Sequence, residues 1–148
     1  MKRFFDSSVL IPAFYKFHGN HGSSAQALRS AKPADSFCAL RTLGEVYDVL
    51  TGLPVRPRIT GLDGMAVLKQ IREKLTIISL TEEEYISALE SISETIVGGA
   101  AYDALIARCA IKAQVDVLLT WKTRDFTRFG PDVARLVKTP LEITALEF

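Results

Sequence analysis

The chain alternates between short apolar segments and longer segments with helical periodicity, and this alternation constrains its fold more than any other feature. The short segments are rich in β-branched and aromatic residues, so we predict that they are strands. In the longer segments apolar residues recur at helical spacing, as in Leu43, Val46, Tyr47 and Leu50. Strands that alternate with helices of about 10–15 residues favour an α/β sandwich around a mainly parallel sheet.

Caps and helix breakers suggest where these elements begin and end. Asp63 is predicted to be an N-cap, and the sequence TEEE at residues 81–84 matches a capping box that opens another helix. The Gly- and Pro-rich sequence TGLPVRPRITGLDG is predicted to be a connection. Predicted strands cover residues 2–6, 36–40, 76–80, 115–120 and 136–139. Predicted helices cover residues 8–17, 23–31, 42–51 and 100–114, with further helices after Asp63 and after the TEEE sequence.

Length and composition exclude several classes of protein. The 148 residues, of which 48% are hydrophobic, suit one domain over residues 1–148. No apolar run approaches the roughly 20 residues of a membrane-spanning helix, and we expect no signal peptide. Cys38 and Cys109 form no C-x-x-C pair, which argues against a zinc site and a disulfide framework. We therefore expect a reduced, cytoplasmic protein, and the net charge of +1 gives no general argument for nucleic-acid binding.

Four acidic residues lie where the predicted topology places a ligand crevice. In parallel α/β sheets, ligands bind outside the carboxyl ends of the strands, near the point where the strand order reverses. Asp6 ends the first strand, Glu45 is predicted in the first turn of the helix after the second strand, and Asp103 opens its own helix. Asp125 follows the fourth predicted strand by a few residues.

Each of these acids also has a purely structural interpretation. Asp6 suits a helix cap, and Glu45 completes a T-x-x-E capping box with Thr42. Asp103 suits the helix dipole, and Asp125 suits a turn. Together, however, converging carboxylates repel one another, and a divalent cation relieves that repulsion. Mg²⁺ or Mn²⁺ prefers oxygen ligands and can activate water for attack on a phosphodiester, so the set predicts a metal-dependent phosphodiesterase site.

Four stretches carry a resemblance to a known family: FFDSSVLI, TLGEVYDVLTGLP, GGAAYDALIARCA and LLTWKTRDF. In order and spacing they resemble the successive motifs of PIN-domain nucleases, and they are most similar to the VapC-type toxins of toxin–antitoxin pairs. The resemblance covers roughly residues 3–139. It implies a PIN-like fold, a Rossmann-like three-layer α/β/α sandwich, with Mg²⁺- or Mn²⁺-dependent endoribonuclease activity on RNA. It also implies a cognate VapB-type antitoxin that occludes the site, and a homodimer.

The resemblance also implies roles for particular residues. Asp6, Glu45 and Asp103 correspond to the three principal acids of the family. Asp125 corresponds to a more variable fourth acid. Thr120 corresponds to a hydroxyl that orders the site, and Ser7 is assigned a similar supporting role. The chain departs from the pattern at Lys122, where relatives often carry Asn or Asp; an ammonium there either contacts substrate phosphate or weakens metal binding.

Basic residues near the acids are candidates for contacts with RNA phosphates. Lys122, Arg124 and Arg128 crowd the loop that contains Asp125, although loop cations are more often solvated surface. Trp121 is expected to pack in the protein rather than to stack on a base. The main alternative function is a catalytically inactive PIN-like domain that binds RNA or a protein partner.

Two further residues invite a metal or acid–base interpretation. His18 and His21 lie in the sequence KFHGNHGSS, which has no acidic pattern beside it. We therefore predict that both are surface loop residues.

Overall fold

The computed structural model describes residues 1–147, which form a parallel sheet flanked by helices on both faces. The strands are β1 (Arg3–Phe5), β2 (Ser36–Ala39), β3 (Thr76–Ile78), β4 (Val117–Leu119) and β5 (Val137–Lys138). The helices are α1 (Ser7–Phe14), α2 (His21–Arg29), α3 (Leu40–Gly52), α4 (Gly61–Lys74), α5 (Glu82–Ile92), α6 (Ala100–Lys112), α7 (Thr123–Thr127), α8 (Pro131–Ala134) and α9 (Pro140–Glu147).

The strand order places β1 and β4 side by side at the centre of the sheet. The order is β3-β2-β1-β4-β5, and each of the neighbouring pairs is parallel. The chain builds the sheet outward from β1 through β2 to β3, and then returns to the other side of β1 with β4. The order therefore reverses between β1 and β4, where α/β sheets of this kind open a crevice at the carboxyl ends of the strands.

Alternating side chains on the strands divide the core into two layers. On β1, Phe5 faces one layer and Phe4 faces the other, and both are fully buried. On β4, Leu119 packs with Phe5 whereas Leu118 packs with Phe4. The first layer includes buried residues of α1 to α4, and the second includes those of α6 to α8. This two-residue alternation, with apolar residues on both faces, confirms the predicted three-layer α/β/α sandwich.

The structure corrects several predicted boundaries. The strands are shorter than predicted, and α3 begins at Leu40, directly after β2, so that Glu45 lies in its second turn rather than its first. Asp63 is not an N-cap: Thr60 caps α4, and the carboxylate of Asp63 accepts a hydrogen bond from the backbone N–H of Thr60. The capping box predicted at Thr81 is confirmed.

The predicted Gly- and Pro-rich connection is also shorter than its composition suggests. Only residues 53–60 lie between α3 and α4, and the glycines that follow are helical. A Cβ built at Gly64 would lie 2.9 Å from Cδ2 of Tyr47, so this glycine permits the close approach of α4 to α3 rather than a turn. Within the described chain no helix combines the length and the apolar character needed to cross a membrane. Both cysteines are buried free thiols.

Candidate active site

Asp6 is the most buried of the candidate acids and lies at the reversal of strand order. It follows β1, and its backbone N–H donates to the carbonyl oxygen of Leu119 at the end of β4. Only 1% of the residue is exposed. Two hydroxyls donate to its Oδ2 atom, Oγ1 of Thr120 at 2.9 Å and Oγ of Ser8 at 2.8 Å. Asp6 is the N-cap residue of α1, as its structural interpretation suggests, but its side chain makes no capping hydrogen bond to the helix.

The two hydroxyls beside Asp6 are themselves fixed by the backbone after β4. The backbone N–H of Lys122 donates to Oγ1 of Thr120, and that of Trp121 donates to Oγ of Ser8. The indole of Trp121 packs against the core, as predicted, and its N–H donates to Oγ of Ser24. Each hydroxyl thus accepts from the backbone and donates to the carboxylate, which orients Asp6 through groups from two parts of the chain.

Glu45 reaches the same crevice from α3. Its Oε2 atom accepts a hydrogen bond of 2.9 Å from Oγ of Ser7, the residue next to Asp6. Its Oε1 atom lies 3.3 Å from Nε of Arg41. Thr42 lies inside α3, because Ala39 is the N-cap residue, so Glu45 completes no capping box. The supporting role predicted for Ser7 stays a prediction, but the structure gives it a definite contact.

Asp103 occupies the first turn of α6, as predicted, and is paired with a lysine. The helix follows two glycines, and the first of them, Gly98, has a φ of +72°, a conformation that glycine adopts without steric cost. Oδ1 of Asp103 lies 3.0 Å from Nζ of Lys122, and the two side chains are 20% and 37% exposed. The departure from the family pattern noted at Lys122 therefore lies inside the acid cluster.

The ammonium of Lys122 pairs with Asp103 and also interacts electrostatically with Asp6 and Glu45. Burial by itself lowers the pKa of this side chain. The acids raise the pKa by more than burial lowers it, so the pKa of Lys122 lies above its ordinary value. The contributions come from the charge of Asp6, the hydrogen bond and charge of Asp103, and the charge of Glu45. Glu45 thus bonds to the residue next to Asp6, and Asp103 pairs with Lys122, whose backbone bonds to Thr120 beside Asp6. That the three acids act as one catalytic or metal-binding set stays a prediction.

Asp125 is less closely tied to this cluster. It lies in the first turn of α7, where its backbone N–H donates to the carbonyl oxygen of Lys122. Among residues 1–143, whose side chains are described, no side-chain hydrogen bond or ion pair joins Asp125 to another candidate acid. Its participation in the site therefore stays a prediction.

The donor set has the right chemistry for a hard divalent ion, although the side chains do not converge into a finished metal centre. Three carboxylates and the hydroxyls beside them offer oxygen atoms only, which suits Mg²⁺ or Mn²⁺. Oδ1 of Asp6 has no hydrogen-bond partner in the described part of the chain. No group of three or more His, Cys, Asp or Glu side chains is close enough to hold an ion among the described residues. The ammonium of Lys122 pairs with one of these carboxylates, that of Asp103.

Sequence reasoning missed two residues that organise the site. Ser8 bonds to Asp6, and the signal was its position two residues after the acid, a spacing at which short polar side chains often bond. Arg41 pairs with Glu45 at i,i+4 spacing on α3, and its guanidinium also stacks 3.6 Å from the ring centre of Tyr102.

The cations predicted to bind substrate differ in whether their side chains already make hydrogen bonds. Arg124 is exposed, and none of the hydrogen bonds or ion pairs of the described residues uses its guanidinium. Arg128 is exposed too, but its Nε–H donates to the carbonyl oxygen of Asp125.

His18 is an exposed loop residue as predicted, whereas His21 begins α2 and its Nδ1 lies 2.8 Å from the carbonyl oxygen of Pro12. The loop prediction for His21 is therefore wrong.

Comparison with known proteins identifies the family. The family model described as "PIN domain" matches residues 3–130. A curated relative, Ribonuclease VapC40 of Mycobacterium tuberculosis, is 31% identical over 121 residues, which cover 81% of this chain and 84% of the relative.

Solved structures show the same fold. The crystal structure of VapC20 of Mycobacterium tuberculosis, described as a sarcin-ricin loop cleaving toxin, matches with a TM-score of 0.68 and 17% identity, covering 89% of this chain and 98% of that one. VapBC-1 of nontypeable Haemophilus influenzae matches with a TM-score of 0.65 and 15% identity, covering 95% and 99%. The resemblance predicted from the four motifs is confirmed: the chain belongs to the PIN-domain family and matches VapC-type members of it.

Proposed function

We propose that this protein is a Mg²⁺- or Mn²⁺-dependent endoribonuclease and the toxin of a VapBC-type pair. The observation that carries the proposal is the buried carboxylate of Asp6 at the reversal of strand order, with Glu45 bonded to the adjacent Ser7 and Asp103 paired with Lys122. The similarity to a protein named Ribonuclease VapC40, and to the fold of a toxin that cleaves the sarcin-ricin loop, supports RNA as the substrate.

In this proposal each acid has a distinct role. Asp6 and Asp103 would hold the principal ion, Glu45 would bind it directly or through water, and Asp125 would complete the shell of a second ion or of water. When bound, the ion polarises the phosphodiester and lowers the pKa of the attacking water. Ser8 and Thr120 hold the carboxylate of Asp6 in one orientation by donating to Oδ2.

One further contact supports these roles. Ser7 holds Glu45 by donating to its Oε2 atom, so the acids need little rearrangement when RNA arrives. Water attacks phosphorus, the bond from phosphorus to one ribose oxygen breaks, and that oxygen leaves as a hydroxyl, with no covalent enzyme intermediate.

The RNA is held through its phosphates. Arg124 is an exposed cation near the acids, and we assign it to substrate phosphate together with Lys122 and Arg128. Tyr102 is 44% exposed, beside Asp103 in sequence, and already stacked on Arg41, so it offers a flat surface at the edge of the crevice. Trp121 is used in packing, and it has no such role.

The proposed partners are a VapB-type antitoxin and a second copy of this chain. An apolar groove of about 430 Å³ adjoins the acid crevice, and Arg41 lines it as well as pairing with Glu45. An antitoxin segment bound in this groove would lie directly beside the acids and would block access of RNA to them. The fold match to a VapBC complex supports this assignment.

The function is tested by RNA cleavage with protein freed of any partner. A mixed pool of single-stranded and structured RNA is incubated with Mg²⁺, Mn²⁺ or EDTA, and wild type is compared with Asp6→Asn and Asp103→Asn. Asp48→Asn is the matched control, because Asp48 is an exposed acid on α3 with no side-chain contact among the described residues. We expect metal-dependent cleavage by wild type and Asp48→Asn only.

Two other results would contradict the proposal. Cleavage by Asp6→Asn at the wild-type rate would show that the acids are not the site. Absence of cleavage in every metal by folded wild-type protein would favour an inactive domain that binds RNA or a protein partner.

A further inference from the structure

The ammonium of Lys122 lies beside Asp103, where a divalent cation is expected to bind. Nζ lies 3.0 Å from Oδ1 of Asp103 and interacts electrostatically with Asp6 and Glu45 as well. A carboxylate predicted to bind a divalent ion, that of Asp103, is therefore already paired with a lysine. This agrees with the lack of a three-ligand metal centre among the described residues.

The backbone holds Lys122 in this position. Its N–H donates to Oγ1 of Thr120, the same atom that donates to Asp6, so the root of the lysine side chain is fixed relative to the central acid. Farther along, Nζ lies 5.7 Å from the ring centre of Phe126, a fully buried residue. The ammonium is thus tethered to the cluster at high effective concentration, unlike a cation from solution.

Lys122 changes the net charge of the acid cluster. Three carboxylates face two side-chain cations, Lys122 at Asp103 and Arg41 at Glu45, so the net charge of the cluster is −1. Without Lys122 it would be −2. A divalent ion that binds Asp103 must therefore displace the ammonium. It is also attracted less strongly, because the cluster carries one negative charge less than it would without Lys122.

We propose that Lys122 is a tethered counter-cation that competes with the divalent ion for Asp103 and so lowers the metal affinity of the site. It is a positioning residue that holds the acids together in the metal-free protein and leaves Asp103 when the ion binds. The inference rests on the proposed metal dependence, and it adds a residue whose charge sets the metal concentration at which the site fills.

The test measures Mn²⁺ affinity directly. Protein is stripped with EDTA and dialysed, and Mn²⁺ is added while binding is followed by calorimetry. Quenching of Trp121 fluorescence gives a second readout, because Trp121 is the only tryptophan and its backbone N–H donates to the hydroxyl of Ser8, which in turn donates to Asp6. The variants are Lys122→Met, which keeps the aliphatic stem without charge, and Lys122→Arg, which keeps the charge. Lys69→Met makes the same change at an exposed position of α4.

We expect Lys122→Met to bind Mn²⁺ about tenfold more tightly than wild type, because one competing charge is removed from a partly solvated cluster. Lys122→Arg and Lys69→Met should stay within about threefold of wild type, since the cluster keeps its charge in both. Metal-free Lys122→Met should melt at a lower temperature than wild type, and saturating Mn²⁺ should raise its melting temperature by more. If Lys122→Met is poorly folded, Lys122→Gln serves for the same comparison.

The possible failures are distinguishable. Equal Mn²⁺ affinity for wild type and Lys122→Met, with metal-dependent cleavage in both, would overturn the role of Lys122 and leave the proposed function standing. Affinity raised equally by Lys122→Met and Lys122→Arg would also overturn it, since charge would not be the cause. No Mn²⁺ binding by any variant, together with no cleavage of RNA, would overturn the proposed function itself.

Discussion

Replacing Thr120 by valine removes one hydroxyl from the centre of the site and changes almost nothing else. The residue is fully buried, and valine has nearly the same shape, so no cavity forms. The hydroxyl proton goes to Oδ2 of Asp6 at 2.9 Å, while the oxygen accepts the backbone N–H of Lys122 at 3.0 Å. Both interactions are lost in the variant.

The expected loss of stability follows from these two contacts. A hydrogen bond to a charged group contributes about 1.5–3 kcal/mol, and the part-buried N–H left without its acceptor adds about 1 kcal/mol. We therefore expect Thr120→Val to lower the free energy of unfolding by about 2.5–4 kcal/mol. Because Asp6 then keeps only the hydroxyl of Ser8, its carboxylate is less well oriented, and RNA cleavage should fall as well.

Two comparisons isolate the hydroxyl. Thr120→Ser keeps it and loses a buried methyl group, so it should cost about 1 kcal/mol but retain cleavage. Thr127→Val makes the same change at an exposed position of α7 and should alter stability by less than about 0.5 kcal/mol.

The assays are urea unfolding followed by circular dichroism, and RNA cleavage in Mn²⁺. The reasoning fails if Thr120→Val is as stable as Thr127→Val, or if Thr120→Ser loses cleavage to the same extent as Thr120→Val.

Two further predictions concern stability away from the site. Gly44→Ala should stabilise α3 by about 0.5–1 kcal/mol, because its new Cβ meets nothing within 4 Å. Gly64→Ala should destabilise the protein, because its new Cβ lies 2.9 Å from Tyr47. Opposite or equal shifts in melting temperature would contradict the packing between α3 and α4. The hydrogen bond from Lys112 lowers the pKa of Glu84 to about 2, so its contribution to stability is present above the ordinary value of 4.5 and is lost as pH falls towards 2. Unfolding of Glu84→Gln should therefore depend less on pH in that range than unfolding of wild type, and an unchanged dependence would contradict the ion pair.

The positions of the principal acids could be predicted from the sequence because they follow from local periodicity and one rule of topology. Strand lengths and turn residues place Asp6 at the end of β1 and Asp103 at the start of α6, and the ends of parallel strands share one edge of the sheet. The contacts that orient the acids were harder to predict from the sequence. The hydrogen bond from Ser8 to Asp6 and the ion pair of Arg41 with Glu45 are short-range and could have been found by spacing.

Tertiary structure alone decided how charge is balanced in the site. Lys122 and Asp103 are 19 residues apart, and nothing in their spacing indicates that they pair. Their contact depends on the parallel pairing of β1 with β4, which brings Thr120 to Asp6 and carries Lys122 along with it. The sequence by itself determined the α/β alternation and the acidic strand ends, since these are set by residues close in the chain. Which cation faces which acid was decided by the packing of distant segments, because the distances between charges are fixed only in the folded protein.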